Sequence, residues 1–195
     1  MNYSDTFIHE KALPHRVINI AIILVASWII AVSAQITINL PFSPVPITGQ
    51  TLAVLLTGII LGKKLGTLSI AAYLAQGAAG LPIFAGGKSG FATLFGPTGG
   101  YLIGFLAAVY VVGLLSELRF KRSLYVNFSA LVIGNIIIYL FGLGWLARFV
   151  GESQVLQLGF YPFLIGDMLK ILLGIVLVGG SSALFSRNKS TGTQI

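Results

Sequence analysis

The chain has no cysteine. That excludes a disulfide framework, a thiolate metal site and a cysteine nucleophile. Its two histidines, His9 and His15, both lie in a polar N-terminal stretch, so no imidazole is available for metal binding or base catalysis further along. Charge is equally scarce: only 9% of the 195 residues are Asp, Glu, Lys or Arg, against roughly 25% in an ordinary soluble domain. What fills the space is apolar, at 56% of the chain. A water-soluble fold would leave a large share of these side chains exposed, so the composition describes an integral membrane protein. Six spans of ~20 residues use about 120 positions, and no soluble catalytic domain fits in the remainder. No metal and no cofactor are expected.

The net charge of +7 does not make a nucleic-acid surface, because the cations sit at the ends of apolar runs. Those runs are about 17–40, 49–62, 65–80, 99–118, 124–146 and 160–185. They imply an all-α fold, a membrane bundle of six transmembrane helices. A polar tail (1–16) precedes the bundle (17–187), and a second tail (188–195) follows it. The first run also carries a small-residue site, Val32-Ser33-Ala34-Gln35, compatible with a cleaved signal peptide; its continuing apolarity favours a span. The second and third runs are short, with Lys63 and Lys64 expected in the turn between them. A Pro-rich connection (Pro41, Pro44, Pro46) and a long Gly-rich connection (81–98) complete the chain.

Counting Lys and Arg in alternate segments orients it. With the N-terminus inside, the inner segments hold Lys11, Arg16, Lys63, Lys64, Arg119, Lys121, Arg122, Arg187 and Lys189, and the outer ones only Lys88 and Arg148. Both termini are therefore expected to be cytoplasmic in a multi-pass protein of the cell membrane, with the Pro-rich and Gly-rich connections outside. The runs show no convincing internal repeat.

Two ionisable residues fall within an apolar run: Asp167 and Lys170. Each costs at least ~2.5–3.5 kcal/mol at a span centre. Three residues apart, they share a helix face, as a neutralising ion pair or as a polar ligand site. By helix rise Asp167 is expected roughly 10 Å below the outer end of its span. Asn135, with Tyr139 one turn later, and Gln76 are polar groups at membrane depth, suited to interhelical hydrogen bonds or to ligand contact. Lys88 is the cation of the outer Gly-rich loop. Gly86-Gly87-Lys88-Ser89-Gly90 is not a phosphate loop, since the leading glycine of that pattern is replaced by Pro82. Ser27, Ala31 and Ala34 share a face of the first span, and Gly58, Gly62 and Gly66 form a second small-residue series. Such faces allow close helix approach, within the chain for the glycines and within it or toward a partner subunit for the first span.

Several ordered motifs carry a family resemblance: 44–54 (PVPITGQTLAV), 77–87 (GAAGLPIFAGG), 96–105 (GPTGGYLIGF), Gly134-Asn135 with Tyr139 and 142–146 (GLGWL), and 162–170 (PFLIGDMLK). Together they resemble the BioY family, the biotin-binding S components of energy-coupling-factor (ECF) transporters, over about residues 17–185. The resemblance implies a six-helix protein that captures biotin from the outer side. The implied partners are a transmembrane coupling subunit and two cytoplasmic ATPases. It also implies that Asp167 and Lys170 belong to the pocket, and that small residues of the first span, here Ser27-x-x-x-Ala31 and Ala34, dock the coupling subunit. Lys88 stands where the family often has arginine; it keeps the charge and loses the planar fork.

Biotin offers two ureido N–H donors and one C=O acceptor. Asp167 can accept, while Lys170, Asn135 and Gln76 can donate. Phe84, Tyr139 and Tyr161 are candidates for apolar walls, and Lys88 for the carboxylate. The chain has no Walker A loop, and an intramembrane hydrolase using Ser89 or Ser182 would lack a histidine base, so it is not expected to be an enzyme. An S component for a different vitamin and a proton-coupled carrier using Asp167 are the alternatives.

Overall fold

The computed structural model describes residues 14–117 and 124–190. Most of the expected N-terminal tail, the inner cations Lys11, Arg119, Lys121 and Arg122, and residues 191–195 lie outside these. Helix α1 (His15–Gln35) follows Pro14, whose ring cannot occupy a helix interior but suits its entry. The helix thus takes in Arg16, which the sequence places in the tail. Past Gln35 the chain turns through a two-rung antiparallel ladder, β1 (Thr37–Ile38) and β2 (Ile47–Thr48), with Thr37 opposite Thr48. The Gly49 N–H donates to the Ile36 carbonyl at 3.0 Å, closing the Pro-rich connection. Apart from this ladder, the described fold is helical.

Helix α2 (Gln50–Ala78) is broken at Gly62, with φ 73° and ψ −178°, a backbone open to glycine and strained for other residues. The chain folds back there. A Cβ on Gly66 would stand 3.3 Å from the Thr57 carbonyl oxygen and 3.5 Å from the Gly58 Cα, contacts impossible along a straight helix of 1.5 Å rise per residue. Gly58 and Gly66 therefore do pack within the chain, as their spacing suggests. Gly62, at the same interval, is the bend itself, one residue ahead of the Lys63-Lys64 turn read from the sequence. Lys63 begins the second limb, its N–H donating to Glu117 Oε1 at 2.8 Å and its ammonium pairing with Oε2 at 3.2 Å.

The Gly-rich connection carries a 3-10 turn (Ala85–Gly87) and a one-turn helix, α3 (Phe91–Leu94). Then come α4 (Gly99–Glu117), α5 (Leu124–Val150), the short α6 (Val155–Gly159), a 3-10 turn (Tyr161–Phe163) and α7 (Leu164–Ser190). Among the described residues, five helical segments are long and apolar enough to cross a bilayer; the second is the folded-back α2, so the rods number six. Helix α4 is central, with Ala108, Val109 and Val112 fully buried between α2 and α5. Helix α7 is peripheral and presents Ile165, Met168, Leu169, Leu172, Leu173 and Val176 outward, a face that suits lipid and would be a liability in water.

The small-residue face of α1 is turned inward. Ser27 and Ala34 are fully buried and Ala31 is 3% exposed, and Ser27 Oγ accepts a hydrogen bond from Gln76 Nε2 at 3.0 Å. This corrects the expectation that Ser27, Ala31 and Ala34 receive a partner: small residues permit close approach, and α2 occupies the place. The outward face of α1 is instead bulky, with Val25, Trp28, Ile29 and Val32. Ala31→Trp is therefore expected to disrupt the fold. Overpacking a filled interface costs about 1–3 kcal/mol or more, visible as a lower melting temperature and a smaller folded fraction by size-exclusion chromatography. An unchanged melting temperature would contradict the packing described.

Candidate functional site: a cavity at the loop end of the bundle

Three connections meet at one end of the bundle. The Pro-rich loop is tied to the α6 segment by Ser43 Oγ, which donates to the Leu158 carbonyl at 2.6 Å. The Gly-rich loop is tied to α1 by Gln35, whose Nε2 donates to the Ile83 carbonyl at 3.2 Å and whose Oε1 accepts from the Gly87 N–H at 3.0 Å. Within that loop, Phe84 and Lys88 pair across a turn that needs positive φ at Gly86 and Gly87. Phe84 is thereby driven inward to 1% exposure, edge-on to Tyr73 at 5.5 Å. Gly77 lies under its ring, where a Cβ would come within 2.8 Å. On the far side Trp145 Nε1 donates to the Gly96 carbonyl at 2.9 Å.

Beneath these loops lies a cavity of about 700 Å³, counting its open mouth. Its walls are mainly apolar and aromatic: Val45, Pro46, Phe84, Tyr101, Leu102, Phe105, Ile138 and Phe163. Tyr101 is held by its hydroxyl, which donates to the Gly159 carbonyl at 2.9 Å, and by Gly142, where any Cβ would enter the ring.

The polar centre is Asp167 with Lys170. Asp167 stands in the first turn of α7, so it is nearer its helix start than the sequence implies. There the helix N-terminus favours a carboxylate, which lowers the cost of placing one at depth. Asp167 is 6% exposed. Its Oδ1 accepts from Lys170 Nζ at 2.9 Å, and its Oδ2 accepts a short hydrogen bond from the Tyr139 hydroxyl. Lys170 Nζ also donates to Thr51 Oγ1 at 3.0 Å. The Tyr139 ring is held edge-on by Phe160 at 4.9 Å. One helix face, α5 and the start of α2 thus fix a compact charged group against an apolar chamber.

Of the residues singled out from sequence, Asp167, Lys170, Tyr139, Phe84 and Lys88 line this cavity. The other three do not. Gln76 is spent on Ser27. Tyr161 is 56% exposed, its ring beside Phe160 at 5.7 Å. Asn135 borders a smaller neighbouring cavity that shares Thr51, Asp167 and Lys170 with the main one. Sequence reasoning passed over Thr48, Gln50, Thr51, Thr93, Thr98, Tyr101, Phe105 and Phe163. The only available signal for Gln50 and Thr51 was their place in the 44–54 motif. Among the described residues, no group of three His, Asp or Glu converges as a metal site would require.

Fold and site together define a multi-pass membrane protein with a mainly apolar chamber and a buried ion pair at the end where its long connections gather. The BioY family model matches residues 8–187, and the chain belongs to that family. It is 41% identical to a probable biotin transporter BioY of Pyrococcus horikoshii, covering 79% of this chain and 91% of that protein. It is 38% identical to the biotin transporter BioY of Thermotoga maritima, covering 80% and 87%. Its fold is similar to a crystal structure of the S-component for biotin from an ECF-type ABC transporter, with TM-score 0.77, 28% identity and coverage of 86% and 92%. Neither the different-vitamin nor the proton-carrier alternative is favoured by these likenesses.

Proposed function

We propose that this chain is the biotin-binding S component of a vitamin uptake transporter. It captures biotin at the loop end of the bundle, on the outer face of the cell membrane, with both termini cytoplasmic. A transmembrane coupling subunit and two cytoplasmic ATPases drive import, and the chain itself makes and breaks no covalent bond. The observation that carries this reading is the Asp167–Lys170 pair, 2.9 Å apart and facing an aromatic chamber, in a chain similar to biotin transporters.

The chemistry matches biotin part by part. The ureido ring needs donors and acceptors in a dry site, where each unmet group costs about 1–3 kcal/mol; Asp167, Lys170 and Tyr139 supply them. The thiophane ring and alkyl chain need apolar walls, supplied by Phe84, Tyr101, Phe105 and Phe163. The valerate carboxylate needs a donor at the mouth, supplied by Lys88 with the Thr98 hydroxyl. A structural ion pair alone would leave the chamber unexplained, since apolar residues replace such pairs at little cost.

Thermal unfolding of the purified protein tests the reading. Biotin at 100 times its Kd is expected to add about 2.7 kcal/mol of stability, seen as a clear rise in melting temperature. Riboflavin and thiamine are expected to give none. No rise at saturating biotin would overturn the assignment.

A further inference from the structure

Gln50 stands out among the polar groups of the chamber. It is 3% exposed, lines the main cavity, and its Nε2 has no hydrogen-bond acceptor. A buried amide nitrogen without an acceptor is disfavoured in a folded chain unless something else meets it. The Tyr73 hydroxyl lies beside the same amide and donates to the Ile83 carbonyl at 3.2 Å. The Tyr73 hydroxyl has one hydrogen and gives it to Ile83, so toward the amide it can only accept. Nε2 carries two N–H groups, so even with one turned to the Tyr73 oxygen the other N–H and Oε1 are left for the chamber.

The neighbouring charged group is largely committed. Both Asp167 oxygens already accept, from Lys170 and from Tyr139, and Lys170 also serves Thr51. Among the described residues that line the cavity, Gln50 is the one side-chain amide. A primary amide and a cyclic urea each carry N–H beside C=O. Placed edge to edge they make two antiparallel hydrogen bonds, N–H to C=O in each direction. No charge is desolvated in such a pair.

We infer that Gln50 is a ligand-binding and specificity-determining residue whose amide pairs with the carbonyl and one N–H of the ureido ring. This rests on the biotin reading above. It assigns recognition of the urea carbonyl to a neutral amide, with Asp167 and Lys170 completing the remaining edge.

Two variants of the full chain test it by titration calorimetry, with biotin and with 2-iminobiotin, which carries a protonated guanidinium in place of the urea. Gln50→Glu keeps the shape, loses the donor and gains a charge that suits two guanidinium N–H groups. It is expected to weaken biotin at least ~10-fold and to move the preference between the two ligands at least ~100-fold toward iminobiotin. Gln50→Leu is expected to weaken biotin at least ~10-fold. An unchanged preference in Gln50→Glu overturns the assignment, whatever the absolute affinities. If that variant does not fold, wild-type biotin affinity in Gln50→Leu overturns it instead. Failure of the biotin reading itself is distinct, since it appears as no binding by the wild-type protein.

Discussion

Asp167→Asn is expected to weaken biotin binding by more than ~10-fold and to lower the stability of the unliganded protein as well. The carboxylate accepts from both sides, Lys170 Nζ at 2.9 Å on Oδ1 and the Tyr139 hydroxyl on Oδ2. An amide offers one acceptor and one donor. If its oxygen stays on Lys170, its nitrogen faces the Tyr139 hydroxyl and that hydrogen bond must reverse. If it rotates, its N–H groups face an ammonium. Either way the charge of Lys170 loses its counter-charge in a site that is nearly closed. Removing one member of a buried pair costs about 3–5 kcal/mol in measured cases, whereas replacing both by apolar groups is often close to neutral. The double variant Asp167→Asn with Lys170→Met should therefore recover melting temperature while biotin binding stays lost. Calorimetry and thermal unfolding of the three proteins read the two effects separately. Binding by the single variant at wild-type affinity would leave the pair a structural device only.

The second large effect is expected at the opposite end of the bundle. Gly113 of α4 lies against the bend in α2, where a Cβ would stand 2.6 Å from the Gly62 carbonyl carbon and 2.6 Å from the Lys63 Cα. These are backbone atoms and cannot rotate away. Gly113→Val must push the bend off α4, and with it the Lys63 N–H bond and the Lys63–Glu117 ion pair at 3.2 Å. A loss of at least ~3 kcal/mol is expected, the upper end of overpacking costs, since no side chain can give way. The informative contrast is Gly144→Ala. Gly144 lies in α5 with nothing within 4 Å of an added Cβ, so the change should stabilise by about 0.5–1 kcal/mol through helix propensity. Melting temperatures measured side by side decide it. Equal melting for Gly113→Val and wild type would mean that the bend does not pack as described.

Much of the site was legible because charge is rare in apolar runs. Asp167 and Lys170 were conspicuous, and Lys88 was conspicuous as an outer-loop cation. Tyr139 and Phe84 stood at motif positions, and the cavity receives both. Gln76 and Asn135 show the limit of such reasoning. A polar side chain in a span announces a need for a partner without saying which one, and Gln76 meets its need at Ser27, 49 residues away. The same limit applies to the small face of α1. Spacing shows that close approach is possible, and only packing shows that α2, and not another subunit, makes it. Thr51 was silent for a different reason. Threonine is common and uncharged, and nothing local places it 3.0 Å from a lysine 119 residues later.

By itself the sequence determined what local composition and periodicity can carry. The solvent is lipid, because apolar side chains outnumber what water tolerates. The number of rods follows from run lengths, and the charged pair within a span stands out by its cost. Tertiary structure alone decided what depends on side chains distant in the chain. Gly62 bends while Gly58 and Gly66 pack, although all three share one spacing, because only Gly62 has the positive φ that turns the chain back. The chamber exists because three connections meet over α4 and drive Phe84 inward. Thr51, Gln50, Tyr101 and Phe163 become its walls through that meeting, since contact between distant residues is set by how helices pack and leaves no mark in the pattern of any one segment.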